Sequence, residues 1–287
     1  MEAKKEKKLV ALSSVFAAIL LTAFKLIVGI VTGSLGILSE ALHSGLDMVA
    51  AVMTYFAVKI ADKPADSKHQ FGHGKVENLS ALFETLLLLI TCVWIIYEAV
   101  DRLTTGTVLI KVNFWSFFVV TLSIIVDISR SRALSKAAKK YNSQALEADA
   151  LHFSSDIFSS AVVLVGLVGV LLNFHAADTI AALIVAAIVI YISIRLGKRA
   201  IDALIDSSPQ ELHDKVQLIL DTFPEIRLAH DIRLRTSGAE VFIDMNIHVN
   251  PCLTIEEAHN ISDKIEEQIM DKIKYSRVHI HIEPDEV

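Results

Sequence analysis

Thiol chemistry is nearly absent from this sequence, which has only two cysteines, Cys92 inside an apolar run and Cys252 just after a predicted strand. That excludes a disulfide framework and any thiolate metal cluster, so metal chemistry here must use histidine and carboxylate. No HExxH motif occurs, and without one there is no general base beside an open zinc position, which excludes a membrane hydrolase of that type. A cleavable signal peptide is not expected either, because the first apolar run is full length and lacks a small-residue cleavage site. Charge is too sparse for an ordinary soluble domain and too frequent for a chain that is membrane throughout. Hydrophobic residues make up 53%, charged residues 21%, and mean hydropathy is +0.51. The two kinds of residue must therefore be segregated along the chain.

Apolar stretches of about 20 residues, long enough to cross a bilayer, run near Leu9 to Thr32, Gly36 to Ile60, Leu79 to Val100, Phe114 to Ile128, Ala145 to Phe174 and Ala176 to Leu196. They predict a membrane domain of six helices over residues 1–206, the fourth span being the shortest. Basic residues cluster at the N-terminus (Lys4, Lys5, Lys7, Lys8), between spans two and three (Lys63, Lys68, Lys75), between spans four and five (Arg130, Arg132, Lys136, Lys139, Lys140) and after span six (Arg195, Lys198, Arg199). The opposite connections carry little beyond Arg102 and Lys111, so both termini are expected in the cytoplasm.

Pro209 marks a change in composition. Residues 207–287 read as a separate cytoplasmic α+β domain of order αββαβ. The segment "PQELHDKVQLILDTF" has helical periodicity, "IRLAHDIRLRT" and "EVFIDMNIHV" alternate like strands, "TIEEAHNISDKIEEQIMDKI" is helical, and "RVHIHIEP" is a last strand. Thr254 followed by Glu257 predicts a capping box at the start of the second helix. This tail holds 16 acidic and 8 basic residues, a net of −8 that leaves the membrane part at +2. An acidic domain below a membrane pore concentrates cations and repels nucleic acid, although acidity also serves plain solubility.

The segment "SEALHSGLD" places His43 and Asp47 four residues apart inside the second span. Four residues is about one helical turn, so the two share a face, and Asp47 lies roughly 16 Å into the span. Span five repeats the pattern in "ALHFSSDIF" with His152 and Asp156, again roughly 16 Å in. A single such residue can serve as a hydrogen bond in helix packing. Two matched pairs at matched depth point to an ion pathway. Face to face they supply two imidazoles and two carboxylates, a sulfur-free set suited to tetrahedral Zn²⁺. Two aspartates, two neutral histidines and one Zn²⁺ sum to zero charge. So do two aspartates and two protonated histidines, and the site can thus trade one metal for two protons near neutral pH.

With these pairs, the loop "PADSKHQFGHGKVE" and the C-terminal domain, the sequence resembles the cation diffusion facilitators over essentially its whole length. "FGHGK" together with the two HxxxD pairs is specific to that family. The resemblance implies a homodimeric divalent-metal/proton antiporter, not an enzyme, that exports metal by alternating access across the cell membrane, with a metallochaperone-like C-terminal domain. Zn²⁺ is the implied substrate and C-terminal ligand, with Cd²⁺, Co²⁺ and Fe²⁺ as secondary candidates. Relatives with aspartate at position 43 resemble transporters that also accept iron or cadmium. The family's loop site falls on Asp66, His69 and His73, beside Gly72 and Gly74, which permit tight turning. Its C-terminal site falls on His230, His259, His281 and Glu283. The chain departs from the pattern at Asn246, where some relatives have a ligand histidine, and His248, on the same side of the strand, is the candidate substitute; His279 shares a face with His281. Lys75 and Asp206 match a charge interlock of the family's dimer, and Leu151 matches a hydrophobic gate residue. Lys25, Glu84, Glu98 and Asp127, in or near spans, form no ligand-like pair in the sequence and read as structural. The competing readings are a metal-sensing membrane scaffold and a passive divalent-cation channel, the latter separable only by a proton dependence.

Overall fold

The computed structural model describes the backbone of residues 2–32, 35–105, 114–171 and 176–285. The side chains of some helix residues, His43, Glu98 and Arg102 among them, and the whole of Lys111 lie outside the described residues. The chain divides into two units, one made of Met1–Lys63 and Val76–Ala200, the other of Pro64–Lys75 and Ile201–Val287.

The first unit is built from α1 (Glu2–Thr32), α2 (Leu35–Ala61), α3 (Lys75–Thr105), α4 (Phe114–Tyr141), α5 (Gln144–Leu171) and most of α6 (Ala176–Leu204). Helices suit these sequences because lipid offers no hydrogen bonds, and an α-helix satisfies its backbone groups within one segment. Among the described residues, Lys5–Val31, Ser44–Ala61 and Lys75–Asp101 are long and apolar enough to cross a bilayer. The apolar run predicted at Phe114 to Ile128 is only the first half of α4, which continues as a more polar helix to Tyr141. Asn142 ends it, adopting a left-handed φ of 48°, while the Ser143 amide reaches back to the Ala138 carbonyl at 3.1 Å.

Side-chain size is sorted across this unit. Ala50, Ala81, Ala145, Ala148 and Ala186 are fully buried, whereas Phe16, Ile27, Trp94, Tyr97 and Tyr191 are exposed. Small residues at the seams and large apolar ones outside are what lipid-packed helices require, since close backbone approach and not water exclusion holds them together. One end of the unit is tied by charge. Lys7 Nζ lies 3.0 Å from both Asp62 Oδ1 and Glu77 Oε1, and the other oxygen of Glu77 accepts from the Ser143 hydroxyl. The start of α1, the end of α2, the start of α3 and the α4–α5 junction therefore meet there.

The second unit contains α7 (Gln210–Leu220), β1 (Leu228–Ser237), β2 (Glu240–Val249), α8 (Ile255–Lys272) and β3 (Ser276–Pro284), the expected αββαβ order. The strands form one sheet ordered β1-β2-β3, with β1 antiparallel and β3 parallel to β2. One face packs Ile243, Met245, Ile247 and Val249 against Val216, Ile219, Ile265 and Ile269 of the helices. The capping box is present: Thr254 N donates to Glu257 Oε2 at 2.8 Å and Glu257 N to Thr254 Oγ1 at 3.2 Å.

The β1–β2 pairing carries a bulge. Arg233 pairs with Asp244 but His230 pairs with Asn246, three steps on β1 against two on β2. Asp231 takes up the extra residue at a φ of 52°. Leu234 and Ile232 face the core, so an unbroken two-residue alternation would turn His230 inward as well. The bulge reverses that parity and brings His230 to the polar face.

Candidate metal centres

The described side chains gather into three groups whose ligand-type atoms all lie within 4.8 Å of one another: Asp47, His152 and Asp156; Asp66, His69 and His73; and His230, His248 and Glu283.

The first lies between α2 and α5. His152 Nε2 is 2.8 Å from Asp47 Oδ1 and 3.9 Å from Asp156 Oδ2. His152 and Asp47 are buried, as charged groups inside a helix bundle must be when they face one another and not lipid. His43 sits four residues before Asp47 on α2, its side chain outside the described residues. Leu151, beside His152, packs with Ala81, Ala148 and Leu196 in an apolar layer. Around the group, Lys25 Nζ donates to Ser44 Oγ at 2.8 Å, and Lys25, Glu84 and Asp127 are all buried. The sequence reading passed over Asp149, which is buried too; its only signal was a carboxylate three residues before His152 on an apolar helix.

The second group is in the loop between α2 and α3. Asp66 Oδ1 accepts from His69 N at 2.7 Å and from Lys68 N at 2.9 Å. These backbone donors, that of His69 foremost, hold the Asp66 carboxyl below its ordinary range. His69 Nδ1 lies 3.1 Å and His73 Nε2 3.4 Å from the same carboxylate. The glycines that flank His73 act differently from one another. Gly72 has a φ of 77° and makes the turn, whereas Gly74 permits contact, since a Cβ there would run into the Ser237 carbonyl. Phe71 stacks edge-on against Phe242 at 5.3 Å and under the Arg235 guanidinium at 3.9 Å. Lys75 Nζ pairs with Asp206 Oδ1 at 2.8 Å and donates to the Leu204 carbonyl at 3.1 Å.

The third group covers the polar face of the sheet. His248 Nε2 is 3.1 Å from both His230 Nε2 and Glu283 Oε2. His281 Nε2 reaches Glu283 Oε1 at 3.5 Å, and Asn246 Nδ2 donates to that oxygen at 3.2 Å. His248 therefore stands beside His230 while Asn246 orients the shared carboxylate. His259 is on α8, paired with Asp263 at 3.6 Å and outside this group; His279 lies 3.9 Å from Asp244.

A helical bundle of this kind with buried histidine and carboxylate, joined to a small αββαβ domain, defines a membrane protein that handles metal cations. The match to family models agrees: residues 11–205 match the cation efflux transmembrane domain and residues 208–285 the cytoplasmic domain of cation efflux proteins. The chain is 29% identical over 283 residues to the cation-efflux pump FieF of Yersinia enterocolitica, covering 98% of this chain and 93% of that one. It is 33% identical over 263 residues to the magnetosome protein MamB of Magnetospirillum gryphiswaldense, covering 91% and 88%. Among solved structures it is similar to the metal-bound C-terminal domain of the CzcD transporter from Thermotoga maritima, 29% identical, covering 26% of this chain and 88% of that one, with a TM-score of 0.26. The chain belongs to the cation diffusion facilitator family and is a metal-cation efflux transporter.

Proposed function

We propose that the protein is a Zn²⁺/H⁺ antiporter that exports zinc by alternating access, with Asp47, His152, Asp156 and His43 as the transport site. The observation that carries this reading is the buried contact of His152 with Asp47 at 2.8 Å, with Asp156 in reach of the same ring nitrogen. A nitrogen between two carboxylates holds either a proton or a metal, and the two occupancies compete. Zinc binding needs the imidazoles neutral, and its departure leaves two negative charges that two protonated imidazoles, those of His43 and His152, would balance. The transmembrane transport domain is residues 1–206 and the cytoplasmic domain residues 207–287.

His230, His248 and Glu283, with His281 at the second oxygen, fit a resident Zn²⁺: nitrogen and oxygen donors converge at the polar face of a sheet. His259, on α8 beside Asp263, is a further candidate ligand of this domain outside that group. Asp66, His69 and His73 bind metal weakly and deliver it. The protein works as a homodimer in the cell membrane, with both termini in the cytoplasm. Zn²⁺ uptake into proteoliposomes at imposed pH gradients tests the antiport. Flux that scales with the proton gradient is expected; equal flux at every gradient means a passive channel and overturns the reading.

A further inference from the structure

Three polar tiers lie along the first unit, the first two separated by similar helical steps. The first is the end network of Lys7, Asp62, Glu77 and Ser143. The third is the group of Asp47, His152 and Asp156. Between them α1 advances from Lys7 to Ser14, α2 retreats from Asp62 to Thr54, α3 advances from Glu77 to Glu84, and α5 advances from Ser143 to Asp149. Each step is six to eight residues, roughly 10 Å of helix at 1.5 Å per residue. Continuing along α2 from Thr54 by seven residues reaches Asp47, and along α5 from Asp149 by three reaches His152.

The middle tier holds two buried carboxylates whose charged form needs a cation. Glu84 Oε1 accepts from the Thr54 and Ser80 hydroxyls, and Asp149 Oδ2 accepts from Ser14 Oγ at 3.2 Å. The second oxygen of each, Glu84 Oε2 and Asp149 Oδ1, is fully buried with no hydrogen-bond partner among the described residues. The two side chains expose 0% and 1% of their surface. They lie in electrostatic range of each other and of His152. Hydroxyls satisfy half of each carboxylate but bring no positive charge, and the nearby His152 is already shared with Asp47 and Asp156. In a low-dielectric interior an ionised carboxylate without a counter-charge is too costly to persist.

We propose that Glu84 and Asp149, with the Thr54 and Ser14 hydroxyls, form a second intramembrane station that holds a divalent cation in passage between the Lys7 end of the bundle and the Asp47–His152–Asp156 site. This rests on the reading of that site as the transport site. The donors are all oxygen, so the station binds hard divalent ions loosely and without nitrogen's preference for zinc. It supplies charge compensation along a stretch where a naked cation would otherwise cross an apolar layer, and leaves discrimination to the histidine site.

The test uses full-length protein in proteoliposomes, Zn²⁺ flux under a fixed pH gradient, for wild type, Glu84→Gln, Asp149→Asn and Glu84→Asp. Zinc affinity of the purified dimers is measured by chelator competition, and protons moved per zinc are counted. The expected result is a tenfold or greater fall in flux for Glu84→Gln and for Asp149→Asn, with zinc affinity and proton count within twofold of wild type and most flux kept by Glu84→Asp. Wild-type flux in both neutral variants overturns the station. So does an equal loss in Glu84→Asp, which marks a packing role, or an altered proton count, which makes the pair a proton carrier. Absence of zinc flux in the wild type overturns instead the transport-site reading on which the station depends.

Discussion

His152 on α5 meets Asp47 on α2 at 2.8 Å, so the contact joins one member of each HxxxD pair and not two members of the same pair. Removing a partner strands a buried charge, which costs roughly 3–5 kcal/mol. At 1.4 kcal/mol per tenfold, that is about a hundredfold or more in occupancy. Asp156→Ala and His43→Ala are each expected to abolish Zn²⁺ flux while the dimer still elutes normally on size exclusion. Wild-type flux from either variant would remove that residue from the site.

His43→Asp tests selectivity. Zn²⁺ has no geometric preference and accepts two nitrogens and two oxygens tetrahedrally, whereas Mn²⁺ and Fe²⁺ bind nitrogen more weakly and favour oxygen. The wild type should carry Zn²⁺ in clear preference to both in competitive flux assays. The variant replaces a neutral nitrogen with a charged oxygen and should broaden towards Fe²⁺ or Cd²⁺. Equal wild-type rates for Zn²⁺ and Mn²⁺ would contradict the zinc assignment.

In the cytoplasmic domain, mutating His230 and His281 together should lower zinc binding yet only modulate transport. Asp231→Val attacks the same site without touching a ligand, because a β-branched residue at a φ of 52° is strained, by roughly 1–2 kcal/mol. Asp231→Gly has no such strain and should keep zinc. Isothermal titration of the full-length variants distinguishes the two, and equal zinc binding by Asp231→Val and Asp231→Gly would mean that the bulge does not position His230.

The end network makes Lys7 the shared cation of Asp62 and Glu77. Lys7→Met takes the lysine from buried Glu77 while Asp62 keeps Lys8 at 3.8 Å, and should destabilise the membrane domain by up to roughly 3–5 kcal/mol, read as a lower thermal midpoint in detergent. Adding Glu77→Gln removes the charge that lost its lysine and should recover part of the loss; a further fall would indicate that the lysine acts through packing alone.

Glu257 gives a pH-dependent signal. The Thr254 amide, and after it the Thr254 hydroxyl, hold its carboxyl below the ordinary value of 4.5. A folded pKa below the unfolded one adds stability at pH above the ordinary value, and that stability is lost as pH falls towards the depressed one. Protection factors in the first turn of α8, each taken against the intrinsic exchange rate at its own pH, should therefore be lower below about pH 4.5 in the wild type than at pH 7. Glu257→Gln should show little such change.

The nearness of His152 and Asp156 was legible because four residues is about one helical turn, so spacing alone aligns the two. The capping box was legible for a similar reason, since both partners lie within three residues. The placing of Glu84 and Asp149 in one tier was not, because they belong to different helices, α3 and α5, that meet by packing at Ala81 and Ala148. No spacing along the chain encodes it. His230 was picked out as a residue, but its facing depends on the irregular step at Asp231, which strict alternation hides. Gly74 looked like a turning residue and is instead a point of close approach to Ser237. A glycine's two uses leave the same letter in the sequence.

The alanines along the helix seams bear on how such a bundle moves. Ala81, Ala148 and Ala200 meet where α3, α5 and α6 pack, and an alanine has no rotamers to rearrange. Interlocked leucines act as gear teeth, and one helix passes another only by lifting over them. Alanine faces act as smooth bearings, on which a small shift costs little and reverses readily. Enlarging one of them, as in Ala148→Leu, should jam the bearing and slow turnover while the metal-holding residues remain intact.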